Sequence, residues 1–281
     1  MADQLIDTQQ AVFSNSKVAT NMPFFDGTTL AFCQSTAPVK VNIKATGTIF
    51  ESMRRNKVLA EQLKNIPRSR QISYRAWKLA YCNWADKAVR PISTGLPAHV
   101  TERSPSFYRE GDRVHFSFIA GAPISAGFYY QLYTCSGPDL DHLDTPQPLS
   151  KPPLFFGFVS PHHICWGAKN IVQLSEKATG KVFQLKTSFL RVASTTFVAD
   201  DPSKLLVTGI IDKEYRSQAV LYDLATGSVR DVSVGGPVYK SSLHGNHLVF
   251  ARKQKEGFEN RDLYHGDCTF SPSAIQIFKG E

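Results

Sequence analysis

Apolar and polar residues alternate on both sides of a tight turn in VLYDLATGSVRDVSVGG (220–236). Alternation of β-branched and aromatic residues around a glycine turn predicts two paired strands. The same pattern occurs in IVQLSEKATGKVFQL (171–185), whose Ala-Thr-Gly sequence at 178–180 aligns with that at 225–227. The two hairpins therefore predict a repeated structural unit.

A second unit accompanies these hairpins. It consists of a small-polar stretch, an apolar anchor residue, a turn and a strand of three hydrophobic residues, as in STTFVADDPSKLLVTG (194–209) and KSSLHGNHLVFAR (240–252). The unit is found six times, with central strands LAF (30–32), LAY (79–81), VHF (114–116), ICW (164–166), LLV (205–207) and LVF (248–250). Successive strands begin 35 to 50 residues apart.

A repeat of about 45 residues with two hairpins is the pattern of a β-propeller blade. In this blade pattern the sequence resembles β-propeller repeat proteins in general, and it identifies no specific family. The resemblance implies an all-β, six-bladed β-propeller over residues 1–281, or one of five blades. The innermost strands would line a central channel, where small side chains fit: Ser104, Ser106, Ser194, Thr195, Thr196, Ser241 and Ser242. The alternative is a β-sandwich, which also has many short strands but does not need one unit six times.

Two segments depart from the repeat. TIFESMRRNKVLAEQLKNIP (48–67) predicts a helix near 49–66, inserted in the second blade, because it combines a capping box, an apolar stripe and a final proline. SAIQIFKG (273–280) predicts a strand that closes the ring with an N-terminal strand near 11–14. Such closure would remove free sheet edges.

Composition describes an ordinary globular protein with a basic surface. The formal net charge is +8, which favours anionic partners such as acidic glycans, nucleic acid or a phosphate-bearing ligand. The five cysteines form no metal-binding spacing, so they are interpreted as reduced, buried thiols. No signal peptide, N-glycosylation sequon or apolar run of membrane-spanning length occurs, which predicts a cytoplasmic protein.

Propellers usually bind ligands where the innermost strands begin, and cationic and aromatic residues are expected at this mouth. The predicted ligand-binding residues are Arg68, Trp84, Arg103, Asp212, Tyr215, Arg216 and Lys240; Arg70, Lys169 and Arg191 occupy similar positions. Together they would attract an anion and stack on a sugar or base. The alternative is that they are solvated loop charges.

Other chemistry has weaker support in the sequence. A glycosidase needs two facing carboxylates, and the candidates are Asp26, Glu102, Asp112, Asp200 and Asp201. All except Glu102 fall in turns on the face opposite the predicted mouth, so no catalytic residue is assigned. His162, His163, His244 and His247 are interpreted as turn histidines and not as metal ligands.

The sequence therefore favours a non-enzymatic, lectin-like propeller that binds a polar or anionic carbohydrate, or another anionic ligand, without a cofactor. The first alternative is a structural or assembly protein, such as a viral or scaffold component. It would dock on a protein partner or self-associate through the rim and helix 49–66. The second is a propeller enzyme acting on a glycan. The basic helix lacks interleaved aromatic residues, so nucleic acid is disfavoured.

Overall fold

The computed structural model describes residues 10–12, 19–44, 69–124, 127–149, 155–253 and 261–280. Twenty-two strands and no helix occur in these ranges. They form five antiparallel sheets, each entered at its innermost strand. No helix in these ranges is long and apolar enough to cross a membrane.

The first two blades each contain four consecutive strands. Blade 1 consists of β2 (Thr20–Phe25), β3 (Thr29–Lys44), β4 (Ser69–Asn83) and β5 (Arg90–Pro91). Blade 2 consists of β6 (Thr101–Glu110), β7 (Arg113–Ile124), β8 (Gly127–Gly137) and β9 (Gln147–Pro148).

The other three blades each gain a strand from a distant part of the chain. Blade 3 consists of β10 (Phe156–Val159), β11 (His163–Ala168), β12 (Ile171–Glu176), β13 (Val182–Thr187) and β22 (Ile277–Gly280). Blade 4 consists of β14 (Arg191–Val198), β15 (Asp201–Ile210), β16 (Ser217–Asp223), β17 (Val229–Ser233) and β21 (Thr269–Pro272). Blade 5 consists of β18 (Lys240–His244), β19 (His247–Lys253), β20 (Arg261–Asp267) and β1 (Gln10–Ala11).

The β-propeller is confirmed, with each innermost strand contacting those of its two neighbouring blades around a closed ring. Six blades are wrong, and the described residues form five. The units at 21–33 and 69–82 lie in one sheet, where Leu30 pairs with Cys82 and Phe32 with Ala80. LAY (79–81) is thus the third strand of blade 1 and not the second strand of another blade. The predicted helix 49–66, within the insertion 48–67, lies outside the described residues and stays a prediction.

Ring closure also differs from the prediction. The strand at 10–11 does close the ring, but it pairs with β20 of blade 5, where Gln10 is opposite His265. The segment at 273–280 instead supplies β22, which pairs with β13 of blade 3. The chain after blade 5 therefore runs back along the outside of blades 4 and 3. There it covers two sheet edges that would otherwise be exposed.

Four large aromatic side chains hold innermost strands together. Phe24, Phe107, Phe158 and Phe197 each come from a different blade, and none is more than 1% exposed. The ring centroids of Phe24 lie 5.1 Å from Phe107 and 4.9 Å from Phe197. Blades 1 and 4 are not neighbours, so the second contact crosses the channel axis. We call these four residues the plug; they are apolar anchors of the sequence repeat, whereas the anchor of blade 5, Leu243, packs in a separate core cluster with residues of blade 4.

The plug predicts a large stability effect at its centre. Phe24→Ala should lower the free energy of unfolding by about 3–5 kcal/mol, because it leaves a cavity between three blades. Phe278→Ala is the matched control, since its ring is 57% exposed, and it should change stability by less than about 0.5 kcal/mol. Urea denaturation followed by fluorescence measures both values. Similar effects of the two substitutions would contradict the plug's assigned role.

Candidate functional site at the channel mouth

The two ends of the channel differ in shape. We call the end where the innermost strands begin the mouth face, and the end where they turn into the second strands the turn face. The plug lies toward the turn face. On the mouth side the channel narrows to a space of about 10 Å³ and then opens into a cavity of about 240 Å³.

The mouth cavity is lined by residues from blades 1 to 5. They are Met22, Arg103, Phe155, Lys169, Arg191, Val192, Ala193, Tyr239 and Lys240. Of these described lining residues four are cationic, two are aromatic, and none is Asp or Glu. Lys240 is only 7% exposed, whereas Phe155 is 63% exposed at the rim.

Irregular backbone shapes this cavity. The innermost strands of blades 1, 2 and 4 are bulged at a similar level, between Asn21 and Phe24, Arg103 and Ser106, and Val192 and Ser194. Pro23 and Pro105 lie within the first two bulges, and proline cannot donate to a strand ladder. β-Bulges are over-represented next to binding sites, where they redirect side chains.

Residues in left-handed backbone conformations are also concentrated here. Met22 (φ 52°), Ser104 (φ 50°) and Lys169 (φ 56°) line the cavity or the channel beneath it. Such conformations are costly for residues other than glycine and persist only when the surroundings enforce them. The Ser104 amide contacts Met22 Sδ at 3.3 Å, so the bulges of blades 1 and 2 are in direct contact.

Three of the four cations in the cavity wall have no acidic partner among the described residues. Within the described part of the chain, Arg103, Lys169 and Arg191 form no ion pair. The Arg103 guanidinium instead lies 4.9 Å from the centroid of the Tyr130 ring, and its Nε is buried without a hydrogen-bond partner. The Lys240 ammonium lies 5.6 Å from the Tyr239 ring centroid. The mouth therefore combines positive charge with aromatic surface.

The structure brings together only some of the predicted ligand-binding residues. Arg103 and Lys240 line the mouth cavity, with Lys169 and Arg191 beside them. Arg68 lies outside the described residues.

Trp84 lies on the turn face, because the strand before it is the third strand of blade 1 and runs away from the mouth. Its amide donates to the Thr28 carbonyl at 2.7 Å. Its ring packs against Phe25 at 4.7 Å and His265 at 4.9 Å. In this position Trp84 contributes to the junction between blades 1 and 5.

Asp212, Tyr215 and Arg216 lie on the mouth face in the β15–β16 loop, but they do not line the cavity. The Arg216 side chain forms an ion pair with Asp212, whose carboxylate also accepts the Glu214 amide at 3.0 Å. These bonds close the loop on itself. Tyr215 is 69% exposed, and Arg216 borders a separate groove of about 610 Å³ between the β15–β16 loop and residues 233–238.

The predicted list omits Met22, Phe155 and Tyr239. Tyr239 directly precedes the first residue of an innermost strand, and Phe155 precedes Phe156 of β10 in the same way. An aromatic residue directly before an innermost strand is therefore the sequence signal for both positions. For Met22 the signal is Pro23, which interrupts the strand before the plug residue.

The carboxylates considered for glycoside hydrolysis have structural partners. Asp26 accepts the Thr29 amide at 2.7 Å, Asp200 accepts the Gly245 amide at 3.2 Å, and Asp201 pairs with Lys204. With Asp112, these acids lie in turns of the turn face. Glu102 is buried and paired with Lys78, and burial raises the pKa of its carboxyl group.

Three histidines line the junction between blades 5 and 1 on the turn face. His265 Nδ1 lies 3.2 Å from His247 Nε2, and His247 Nδ1 lies 3.4 Å from an Asp267 oxygen. His244 packs so closely on Gly27 that a Cβ there would lie 2.5 Å from its Nε2. No group of three or more His, Cys, Asp or Glu in the described ranges is arranged to hold a metal ion.

No family model matches this sequence, and no curated protein matches it significantly. Solved structures with propeller folds do resemble it. The catalytic domain of the GH62 α-L-arabinofuranosidase of Coprinopsis cinerea aligns with a TM-score of 0.44 and 8% identity, covering 94% of this chain and 96% of that chain. β-1,2-Mannobiose phosphorylase of Listeria innocua aligns with a TM-score of 0.42 and 10% identity, covering 94% and 92%.

A third similar structure is the β-propeller domain of the Trilobed protease of Pyrococcus furiosus, with a TM-score of 0.38 and 13% identity, covering 91% of this chain and 84% of that chain. These structures are of an arabinofuranosidase, a phosphorylase and a protease domain, and none of the three is of a lectin. The sequence-based prediction of a non-enzymatic, lectin-like function is therefore corrected. At these identities the likeness shows the propeller fold alone.

The histidine junction predicts a pH-dependent stability. Burial, with smaller effects from nearby His247 and Lys87, lowers the pKa of His265 below its ordinary value near 6.5. The unfolded chain then takes up this proton before the folded chain does, so the free energy of unfolding falls as pH drops below about 6.5. His265→Gln removes this contribution. Its melting temperature should fall less than that of the wild type between pH 7.5 and 5.5.

His162→Gln is the control, because His162 is exposed on a turn of blade 3. It should retain the wild-type pH dependence in differential scanning fluorimetry. An unchanged pH dependence in His265→Gln would show that the junction does not resist protonation.

Proposed function

We propose that this propeller binds a small anionic molecule in the mouth cavity. The observation that supports the proposal is the group of four cations around one space of about 240 Å³, with no acid among the lining residues that the structure describes. The proposal concerns the charge of the molecule, and it applies to a substrate as well as to a bound ligand.

The energetics of the group support this assignment. Like charges around a partly enclosed cavity repel one another, and the low dielectric of the surrounding protein strengthens the repulsion. Solvated loop lysines and arginines avoid this cost by pointing apart, whereas Arg103, Arg191 and Lys240 are held at the starts of three innermost strands. An anion bound between them converts the repulsion into attraction, and the field of the cavity accelerates its capture.

The cavity also restricts the size and shape of the molecule. Its volume lies below the range of about 300–1,000 Å³ that is typical of sites for drug-sized ligands. Phe155 and Tyr239 provide aromatic surface on which an apolar or planar part of the molecule can pack. The plug closes the channel beneath, so the molecule enters and leaves by the mouth face.

Two-carboxylate glycoside hydrolysis has no candidate residues in this cavity. Such a reaction needs an acid and a second carboxylate on either side of the scissile bond. Within the described ranges no lining residue is Asp or Glu, and the nearby Glu102 is buried in its pair with Lys78. The cavity favours recognition of the charge on a molecule over cleavage of a neutral sugar chain.

A charge reversal at the rim tests the proposal. Arg191→Glu should weaken binding of citrate at least about tenfold in isothermal titration calorimetry at low salt, since it replaces a charge-assisted contact by repulsion. Lys181→Glu changes the net charge of the protein equally. Lys181 lies in an exposed turn on the turn face, so this variant should bind citrate like the wild type.

Wild-type affinity for citrate should also fall as salt is raised. Equal weakening by the two variants would indicate a general effect of net charge and would contradict a site at the mouth. Absence of binding by the wild type to citrate, phenyl phosphate and benzoate alike would reject the proposed function.

A further inference from the structure

Two buried hydroxyl groups at the top of the channel have no hydrogen-bond partner. Ser194 is 7% exposed and Thr195 is 3% exposed, and neither Ser194 Oγ nor Thr195 Oγ1 forms a hydrogen bond in the structure. A buried polar group without a partner costs about 1–3 kcal/mol of stability. Such groups in a folded protein therefore call for an explanation.

The deeper hydroxyl groups of the described channel all form hydrogen bonds. Ser106 and Ser117 contact each other at 2.7 Å, and Thr208 and Ser241 do so at 2.8 Å. Ser242 Oγ accepts the Phe25 amide at 2.8 Å. These bonds join strands within a blade or join neighbouring blades. Thr20 Oγ1 on β2 and Thr101 Oγ1 on β6 are also buried without a partner, but of these four hydroxyls only those of Ser194 and Thr195 belong to residues that line the described channel.

The unpartnered hydroxyls lie directly below the proposed anion site. β14 passes from Arg191 at the rim, through Val192 and Ala193 in the cavity wall, to Ser194 and Thr195 in the channel. Met22 and Lys240 line both spaces, so the cavity and the channel are continuous. The bulge at Ala193 lies just before Ser194. Ser194 and Thr195 both line the channel directly beneath the cavity, and we call this level the floor of the cavity.

We propose that the anionic molecule is a phosphomonoester whose phosphoryl group rests on this floor. This inference depends on the proposed function and names the ligand class of the same site. The phosphoryl oxygens accept hydrogen bonds from Ser194 and Thr195 below, and from Arg103, Arg191 and Lys240 around them. The body of the ester packs against Phe155 and Tyr239 toward the rim.

The donor arrangement matches a phosphoryl group better than a carboxylate. A phosphomonoester carries a charge of about −1.5 to −2 at neutral pH and three terminal acceptor oxygens. These oxygens point in three directions, which suits donors that come from blades 2, 4 and 5. A carboxylate has one charge and two oxygens in a plane, so it leaves one side of the donor set unused. The channel below, at about 10 Å³, admits about one water and not the phosphoryl group itself.

Three phenyl compounds separate the effect of the charge of the anionic group from the effect of its shape in a binding experiment. Phenyl phosphate, phenyl sulfate and benzoate share the ring and differ in the anionic group. We expect the wild-type protein to bind phenyl phosphate at least about tenfold more tightly than benzoate in isothermal titration calorimetry at pH 7.5. Phenyl sulfate, which is tetrahedral but carries one charge, should lie between them. Equal affinities for all three compounds would overturn the phosphomonoester assignment.

The double variant Ser194→Ala, Thr195→Val tests the hydroxyls directly. It should lose most of the preference for phenyl phosphate over benzoate, while its melting temperature stays equal to or above that of the wild type. Removing buried hydroxyls that make no bond does not weaken the fold. Retention of the full preference would reject the role of these hydroxyls.

Two controls separate this inference from the proposed function. Ser242→Ala removes a structural hydroxyl of the same channel, so it should lower the melting temperature and leave the preference unchanged. If the double variant keeps its preference while Arg191→Glu weakens both anions, the anion site stands and the phosphomonoester assignment fails. If Arg191→Glu leaves the binding of both anions unchanged, the proposed function itself fails.

Discussion

The packing of the plug residues is the interaction on which the rest of the structure depends. Phe24 contacts rings from both a neighbouring and a non-neighbouring blade, so it fixes the distance across the channel as well as between sheets. Each blade alone is a short sheet with one edge at the axis. The plug converts these edges into a common core and closes one end of the channel. The described channel is then open for a ligand at its other end.

The mouth has a different physical character from the plug. Near the mouth three of the five innermost strands are bulged, two of them contain proline, and residues other than glycine adopt positive φ angles. Arg103, Lys169 and Arg191, which form no ion pair among the described residues, and hydroxyls without hydrogen bonds occur nearby. Each of these features reduces stability when it is considered alone. Several destabilising features close together at one end of a channel are the pattern expected of a binding site, where function requires groups that do not stabilise the fold.

Much of the fold could be predicted from the sequence, because the blade unit repeats its polar stretch, anchor and strand. VHF (114–116), ICW (164–166), LLV (205–207) and LVF (248–250) are all second strands, as is LAF (30–32). LAY (79–81) has the same composition but is a third strand, since buried neighbouring strands in a blade need similar apolar residues. That single misassignment added a blade and placed Trp84 at the wrong end of the channel. The outer edges depend on pairing between distant segments, which short patterns do not encode.

The candidate site was only partly predictable. Arg103 and Lys240 were found because they directly precede or begin small-polar innermost strands. Asp212 and Arg216 were indistinguishable from them by position, and only the geometry shows that they pair with each other. The unpartnered state of Ser194 and Thr195 could not be predicted, because it depends on which groups of the neighbouring strands face these two side chains.

The most direct test of the central claim is a crystal structure of the protein soaked in selenate, a tetrahedral oxyanion that can be located by anomalous scattering. The account predicts a selenate in the mouth cavity, with its oxygens within about 3.2 Å of donors from Arg103, Arg191 or Lys240 and from the Ser194 hydroxyl. A structure in which selenate binds at other surface sites and the mouth cavity contains only water would contradict it.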